Sequence, residues 1–252
     1  WTEENRVELF RKQEKINDMK KVLRSLGLYG LDKRLKSLFR ITKSRMSFAP
    51  WGKKTEDWIR ASIDVVRFSS IALAFNRIKK EQIPGEIAEI GVYKGKIARF
   101  MRHLSPDRRM HLFDTFEGFS KKDFETPEEG KDRRFKDTNA EAVHRKVLEA
   151  GNPGAEIVMH VGFFPDTAVQ LDKETFCFIS LDVDKYAPTL AGLEVMFPRL
   201  EPGGYIFIHD YNSEESNRGV SRAVDEWIKE RPESIFDIPD QSGSIVIRKL
   251  KD

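Results

Sequence analysis

Glu89-Ile90-Gly91-Val92-Tyr93-Lys94-Gly95, with Asp114 closing Met110-His111-Leu112-Phe113-Asp114 twenty-five positions after Glu89, decides the reading of this chain. Ile83-Pro84-Gly85 is a turn, Glu86 to Ile90 has the apolar, β-branched content of a buried strand, and Ile97 to Leu104 carries helical spacing. Strand, glycine turn, helix and strand make a nucleoside-binding crossover. Glycine lets the backbone turn sharply and approach a ligand, and an acid at the tip of the second strand can accept hydrogen bonds from two ribose hydroxyls. The two glycines do not form the G-x-G-x-x-G dinucleotide fingerprint. Tight packing of helix on strand is therefore an equal reading of Gly91 and Gly95. Glu89 tips the balance, because a carboxylate inside an apolar strand needs a ligand or backbone amides to satisfy it.

Outward from this unit, strands and helices alternate. Strands are expected near 86–91, 110–114, 156–161, 176–182, 204–209, 234–238 and 244–248, with helices near 96–104, 139–150, 188–199 and 218–230. Alternation of this kind predicts an α/β, Rossmann-like, seven-stranded and mostly parallel sheet with helices on both faces. The last two runs are joined only by Ile238 to Gly243, a link that permits a hairpin and not a parallel crossover, so the sheet should end in an antiparallel C-terminal pair. Gly118 to Asp137 is densely charged and aperiodic, which reads as a lid over the site or as a solvated insertion.

Composition sets the outer bounds. The 252 residues suffice for one large core. A formal charge of +3 from 44 basic and 41 acidic residues gives no field that points to nucleic acid. The single cysteine, Cys177, sits in an apolar run and reads as a core thiol in a reducing, cytoplasmic setting. No apolar run approaches the length of a membrane span. Residues 1–54 form a basic helical segment: up to residue 45 it holds 13 Lys or Arg against 6 Asp or Glu. Val7, Phe10, Ile16, Met19, Leu23 and Leu26 make an apolar helical stripe, expected to dock on the body or on a second subunit in a homo-oligomer. A membrane surface or a polyanion is the alternative partner. The second domain, 55–252, opens with a helix from Thr55 to about Lys80 whose apolar residues, Ile63 and Val66 among them, are dense enough for near-complete burial.

A second polar constellation follows later strands: Leu181-Asp182-Val183-Asp184-Lys185-Tyr186 and Ile208-His209-Asp210-Tyr211-Asn212. Asp182 and Asp210 would sit at carboxyl ends of neighbouring strands, where open α/β sheets bind ligands. Hard oxygen ligands converging there suit Mg²⁺ or a similar divalent cation. The competing reading makes the acids helix caps or partners of Lys185 and Arg218.

At these residues the chain resembles a known family. Glu89 to Gly95 looks like the first motif of class I S-adenosylmethionine-dependent methyltransferases, in the variant of the catechol and caffeoyl-coenzyme A O-methyltransferases. The longer series Pro84-Gly85, Phe100-Met101-Arg102, Asp114-Thr-Phe-Glu-Gly118, Gly162-Phe-Phe-Pro-Asp-Thr167, Leu181-Asp-Val-Asp184, Pro202-Gly-Gly204, Asp210-Tyr211 and Ala223-Val-Asp-Glu-Trp227 resembles the macrocin O-methyltransferase family. These enzymes methylate sugar hydroxyls of natural products. The resemblance covers roughly residues 55 to 248. It implies an S-adenosyl-L-methionine pocket shaped by Glu89, Gly91, Tyr93 and Gly95, with Asp114 and Thr115 at the ribose, Gly162 and Phe163 near the adenine and Asp182 bordering it.

The resemblance further implies a divalent cation on Asp182 and Asp210, with His209 standing where the family has a third acid. Imidazole suits zinc, copper or iron better than magnesium. Lys185 follows Asp182 by three residues, as the lysine base does in catechol-type enzymes; its other reading is a salt bridge to Asp182 or Asp184. Lys185 or His209 would take the proton from a hydroxylated, sugar-containing acceptor, while Asp182 holds the cation beside it. The alternatives are a metal-independent methyltransferase and a non-catalytic S-adenosylmethionine-binding module tethered by its basic helix. A nicotinamide-linked dehydrogenase lacks the necessary glycine spacing.

Overall fold

A computed structural model describes residues 51–152 and 154–251. The basic helix expected over the N-terminal residues lies outside the described residues, as does the rest of that segment through residue 50. Where one helix is expected over 55–80, the chain forms two, α1 (Lys53–Ala61) and α2 (Val65–Lys80). Local hydrogen bonds end the first and start the second. The Ser62 hydroxyl donates to the Ile59 carbonyl at 2.7 Å, and the Asp64 carboxylate accepts the Arg67 N–H at 2.9 Å as an N-cap. Ile63, expected to be buried, lies at this break and is 81% exposed; Val66 is also exposed.

Beyond the break the alternating pattern holds: β1 (Glu86–Ile90), α3 (Lys96–Leu104), β2 (Met110–Asp114), α4 (Ala140–Leu148), β3 (Ile157–Val161), β4 (Phe176–Leu181), α5 (Tyr186–Met196), β5 (Leu200–Ile208), α6 (Gly219–Ile228), β6 (Ile235–Ile238) and β7 (Ser244–Arg248). The sheet order is β3-β2-β1-β4-β5-β7-β6. The first five strands pair in parallel, and β7 is antiparallel to both β5 and β6. β5 starts earlier than expected, running through Pro202-Gly203, and its register with β4 jumps from Phe176 opposite Leu200 to Phe178 opposite Tyr205.

Both faces of the sheet are covered, so β4 is buried at every residue, as a central parallel strand must be. On one face Ile90, Phe113, Ile179 and Leu181 pack with Leu193 and Met196 of α5 and Trp227 of α6. On the other, Phe75 of α2 lies 4.7 Å from the Phe178 ring, and Phe68 lies 4.7 Å from Phe100 of α3. β1 is flanked by β2 and β4, so the chain crosses over in opposite directions from it and leaves a crevice beyond the carboxyl ends. Staggered backbone bonds deliver the site residues there: Gly91 N–H to Phe113 O and Asp182 N–H to Ile90 O at 2.9 Å, and His209 N–H to Leu181 O at 3.0 Å.

Candidate active site

A cavity of about 270 Å³ opens in that crevice. One end is lined by Gly91, Tyr93, Asp114, Thr115, Gly162 and Phe163, the other by Asp182, Asp184, His209 and Asp210. Two groups of residues far apart in sequence thus share one space.

The first end is shaped mainly by backbone. Asp114 Oδ2 accepts the Val92 and Tyr93 amides, both at 2.7 Å, and Oδ1 accepts that of Phe116 at 2.6 Å. An ionised carboxylate has about four acceptor positions, so roughly one remains for a ribose hydroxyl. Asp114 therefore fixes the glycine turn as well as facing the cavity. The glycines differ in purpose. A Cβ on Gly91, at φ +83°, would lie 1.8 Å from the Asp182 carbonyl oxygen, so this residue permits contact between two strand ends. A Cβ on Gly95 would meet Val143 of α4 at 2.8 Å. Gly95 serves helix packing and is not among the cavity's lining residues. Nor is Glu89, which is 2% exposed and has Oε2 without a hydrogen-bond partner. Burial pushes its carboxyl well above the usual range; Asp182 and Asp114 reinforce this, and Arg67 opposes it.

Side chains shape the second end. Arg67 of α2 donates to Asp182 Oδ2 at 2.8 Å. His209 Nδ1 lies 3.4 Å from Asp182 Oδ1 and 3.1 Å from Asp210 Oδ2, ion-pair distances without hydrogen-bond alignment. Burial alone would raise the Asp182 carboxyl, yet Arg67 and then His209 hold it well below its ordinary value. Burial likewise opposes charge on His209, but Asp182 and Asp210 outweigh it and raise the imidazole to about 10. Asp184 is pushed well above the carboxylate range, first by burial and then by Asp182 and Asp210. The potential ligand atoms of Asp182, His209 and Asp210 lie within 4.8 Å of one another. Two carboxylates and a neutral imidazole at that spacing can hold a divalent cation.

The charged segment between β2 and α4 folds over the cavity, to which it contributes Gly118, Phe119, Asp123 and Phe135. Ion pairs anchor it. Lys122 reaches Asp166 at 2.7 Å with Nζ 4.7 Å from the centre of the Phe163 ring, Arg134 reaches Glu215 at 2.7 Å, and Arg222 grips Glu125. Lys185 is drawn into this closure. Its Nζ lies 3.3 Å from Asp132 Oδ2 and 4.7 Å from the centre of the Phe119 ring, and its side chain is 4% exposed. The salt bridge is thus to the lid, not to the expected Asp182 or Asp184, and Lys185 lines a neighbouring cavity instead.

Sequence reading missed Arg67 and Asp123. Nothing local marks Arg67, since its contact with Asp182 spans 115 residues. Asp123 did carry a signal: Ser120-x-x-Asp123 is a capping box, and its Ser120 N–H donates to Asp123 Oδ2 at 2.6 Å.

Comparison with known proteins identifies a family and a fold. Residues 9–240 match the family model described as macrocin-O-methyltransferase (TylF), reaching into the segment before residue 55 that the motif resemblance does not cover. The 8-demethyl-8-(2,3-dimethoxy-alpha-L-rhamnosyl)-tetracenomycin-C 4'-O-methyltransferase of Streptomyces olivaceus is 27% identical over 62% of this chain and 65% of its own length. The mycinamicin III 3''-O-methyltransferase of Micromonospora griseorubida is 26% identical over 59% and 64%. The chain matches just under two thirds of the length of these curated relatives. Among solved structures, the O-methyltransferase NovP superimposes with a TM-score of 0.63 at 19% identity, over 74% of this chain and 81% of that one. The calicheamicin methyltransferase CalS11 gives 0.55 at 19%, over 80% and 95%. At such identity these structures show the fold.

Proposed function

This chain belongs to the macrocin O-methyltransferase family, and on that premise we propose that it transfers the methyl group of S-adenosyl-L-methionine to a hydroxyl of a sugar carried by a natural product or glycan. One observation carries the reading: a single cavity is lined at one end by Gly91, Tyr93, Asp114 and Phe163 and at the other by Asp182, His209 and Asp210. The donor is already activated as a sulfonium. Catalysis therefore consists of aligning the methyl carbon between sulfur and oxygen and of taking the proton from that oxygen. Gly91, the amides held by Asp114, and Phe163 would seat the nucleoside. Phe119 and Phe135 of the lid would keep water out of the transfer path.

The hydroxyl oxygen would approach from the end lined by Asp182 and Asp210. As its bond to the methyl carbon forms, the bond from methyl carbon to sulfur breaks, neutral S-adenosylhomocysteine leaves, and the hydroxyl proton passes to the Asp210 carboxylate. His209 already holds a proton between two acids. In this state it is a donor, and we assign it to binding the acceptor oxygen. Where a divalent cation is bound instead, His209 would be deprotonated and would hold it together with Asp182 and Asp210, and the cation would lower the pKa of an acceptor hydroxyl.

The test uses two readouts. Asp182→Asn combined with Asp210→Asn should reduce methyl transfer by at least a thousandfold while S-adenosylhomocysteine affinity, measured by titration calorimetry, stays within threefold. Full activity in that variant, or a wild-type protein that does not bind S-adenosylhomocysteine, would overturn the assignment. Loss of activity on treatment with chelator and its return with Mg²⁺, Mn²⁺ or Zn²⁺ would establish the cation, and unchanged activity in chelator would remove it.

A further inference from the structure

The second cavity is larger, about 670 Å³, and lies against the first. The two meet at consecutive residues, Asp184 lining one and Lys185 the other, and Lys185 stacks on Phe119, which lines the first. Their linings are opposite in character. The first is substantially aromatic and apolar, with Phe119, Phe135, Phe163, Phe164, Val183 and Pro188 among its walls. The second has ten lining residues, of which eight carry charge and the other two are Thr126 and Asn217. Many of these charges are paired, Asp132 with Arg134 within the lid and, from the lid to the opposite wall, Asp132 with Lys185, Arg134 with Glu215 and Glu125 with Arg222.

An apolar aglycone pressed into such a cleft would strip water from paired charges and return no hydrogen bonds. A polyhydroxylated ligand would exchange water hydrogen bonds for protein ones along the whole wall. The first cavity is near the small end of ligand sites, about 300–1,000 Å³, so the nucleoside and the reacting hydroxyl fill it and the rest of the acceptor must lie elsewhere.

We propose that the cleft between the lid and the start of α6 is the subsite for the remote part of the acceptor, and that this part is a hydrophilic oligosaccharide and not an apolar polyketide aglycone. The proposal rests on the methyltransferase reading and deepens it. It separates this chain from relatives whose names specify tetracenomycin and mycinamicin acceptors.

The experiment loads the full chain with saturating S-adenosylhomocysteine, whose own binding heat is recorded first. Two probes are then titrated: a linear trisaccharide ending in rhamnose, and the same rhamnose joined to a planar polycyclic aglycone. The trisaccharide should bind at least tenfold more tightly. Glu128→Leu and Thr126→Val should each weaken it at least fivefold with S-adenosylhomocysteine affinity unchanged. Tighter or equal binding of the aglycone glycoside overturns the proposal. So does the absence of binding by either probe to loaded protein, or trisaccharide affinity unchanged in both variants. Failure of S-adenosylhomocysteine itself to bind is a separate outcome, which removes the methyltransferase reading and the subsite with it.

Discussion

The two ends of the first cavity are built differently. The nucleoside end depends on backbone: Gly91 at positive φ, and three amides turned onto Asp114. The reactive end depends on charged side chains from separate elements, with Arg67 from α2, Asp182 after β4 and His209 after β5. A backbone pocket should tolerate little change at one residue. A charge cluster should tolerate compensated change, because its energy lies in differences between charges.

The sharpest way to break this contrast is Gly91→Ala. The added Cβ would overlap the Asp182 carbonyl, and the cost should exceed about 4 kcal/mol, enough to prevent folding or abolish S-adenosylhomocysteine binding. A well-folded variant that still binds the ligand, judged by circular dichroism and calorimetry, would show that the strand ends do not need to touch.

At the reactive end, Arg67→Met should leave the Asp182 charge balanced by His209 alone and cost about 2–3 kcal/mol in urea denaturation, less than for a fully buried pair because Asp182 is partly exposed. Adding Asp182→Asn should return most of that loss. Additive costs in the double variant would mean the two residues are not coupled.

Acid and alkali should distinguish the two halves. His111 of β2, in the nucleoside half, sits between His160 and Glu86 inside the sheet. Burial, then nearby Arg109, lower its pKa to about 4, against Glu174 and Glu156. The unfolded chain takes up that proton near the ordinary value of 6.5, so stability is full above pH 6.5 and falls by up to about 3 kcal/mol as pH drops to about 4. His209 runs in the opposite sense. Raised to about 10, it contributes fully below pH 6.5, and its contribution is lost as pH rises toward 10. Melting temperatures from pH 4 to 10 should show the acid limb flattened in His111→Leu and the alkaline limb flattened in His209→Asn. Identical profiles in all three proteins would dismiss the division.

The smallest effect belongs to the lid. Lys122→Ala removes an exposed ion pair with Asp166 and should change stability by less than about 1 kcal/mol. S-adenosylhomocysteine should nonetheless leave severalfold faster in stopped-flow displacement, as should occur in wild type at high salt. An unchanged release rate would mean this end of the lid does not hold the ligand.

This division also explains what could be read in advance. Gly91, Asp114, the positions of the strands and the antiparallel terminal pair follow from local pattern, because β-branched runs, turns and helical spacing are short-range properties; the order of the strands in the sheet does not. The broken helix at Ser62 to Asp64 was misread because the apolar spacing of Ile59, Ile63 and Val66 continues across a pair of capping side chains. Asp182 and Asp210 were legible as acids at the ends of neighbouring strands, and His209 through the family resemblance, but not the distances between them. Their convergence depends on β4 and β5 being neighbours, and the contact with Arg67 on a helix from before the sheet. Lys185 shows the limit most plainly. Its likeness to the catechol-type lysine pointed to a base or to a salt bridge with Asp182 or Asp184; the ion pair it makes is with Asp132, in an aperiodic lid that no spacing rule could place.

The contact of Gly91 with the Asp182 carbonyl sets a length. Where the two strand ends touch through main chain, the span from Gly91 to Asp182 is set by covalent geometry and sheet register. Sequence change in the lid and the charged cleft can then alter what the cavity admits while the distance between its two ends stays constant.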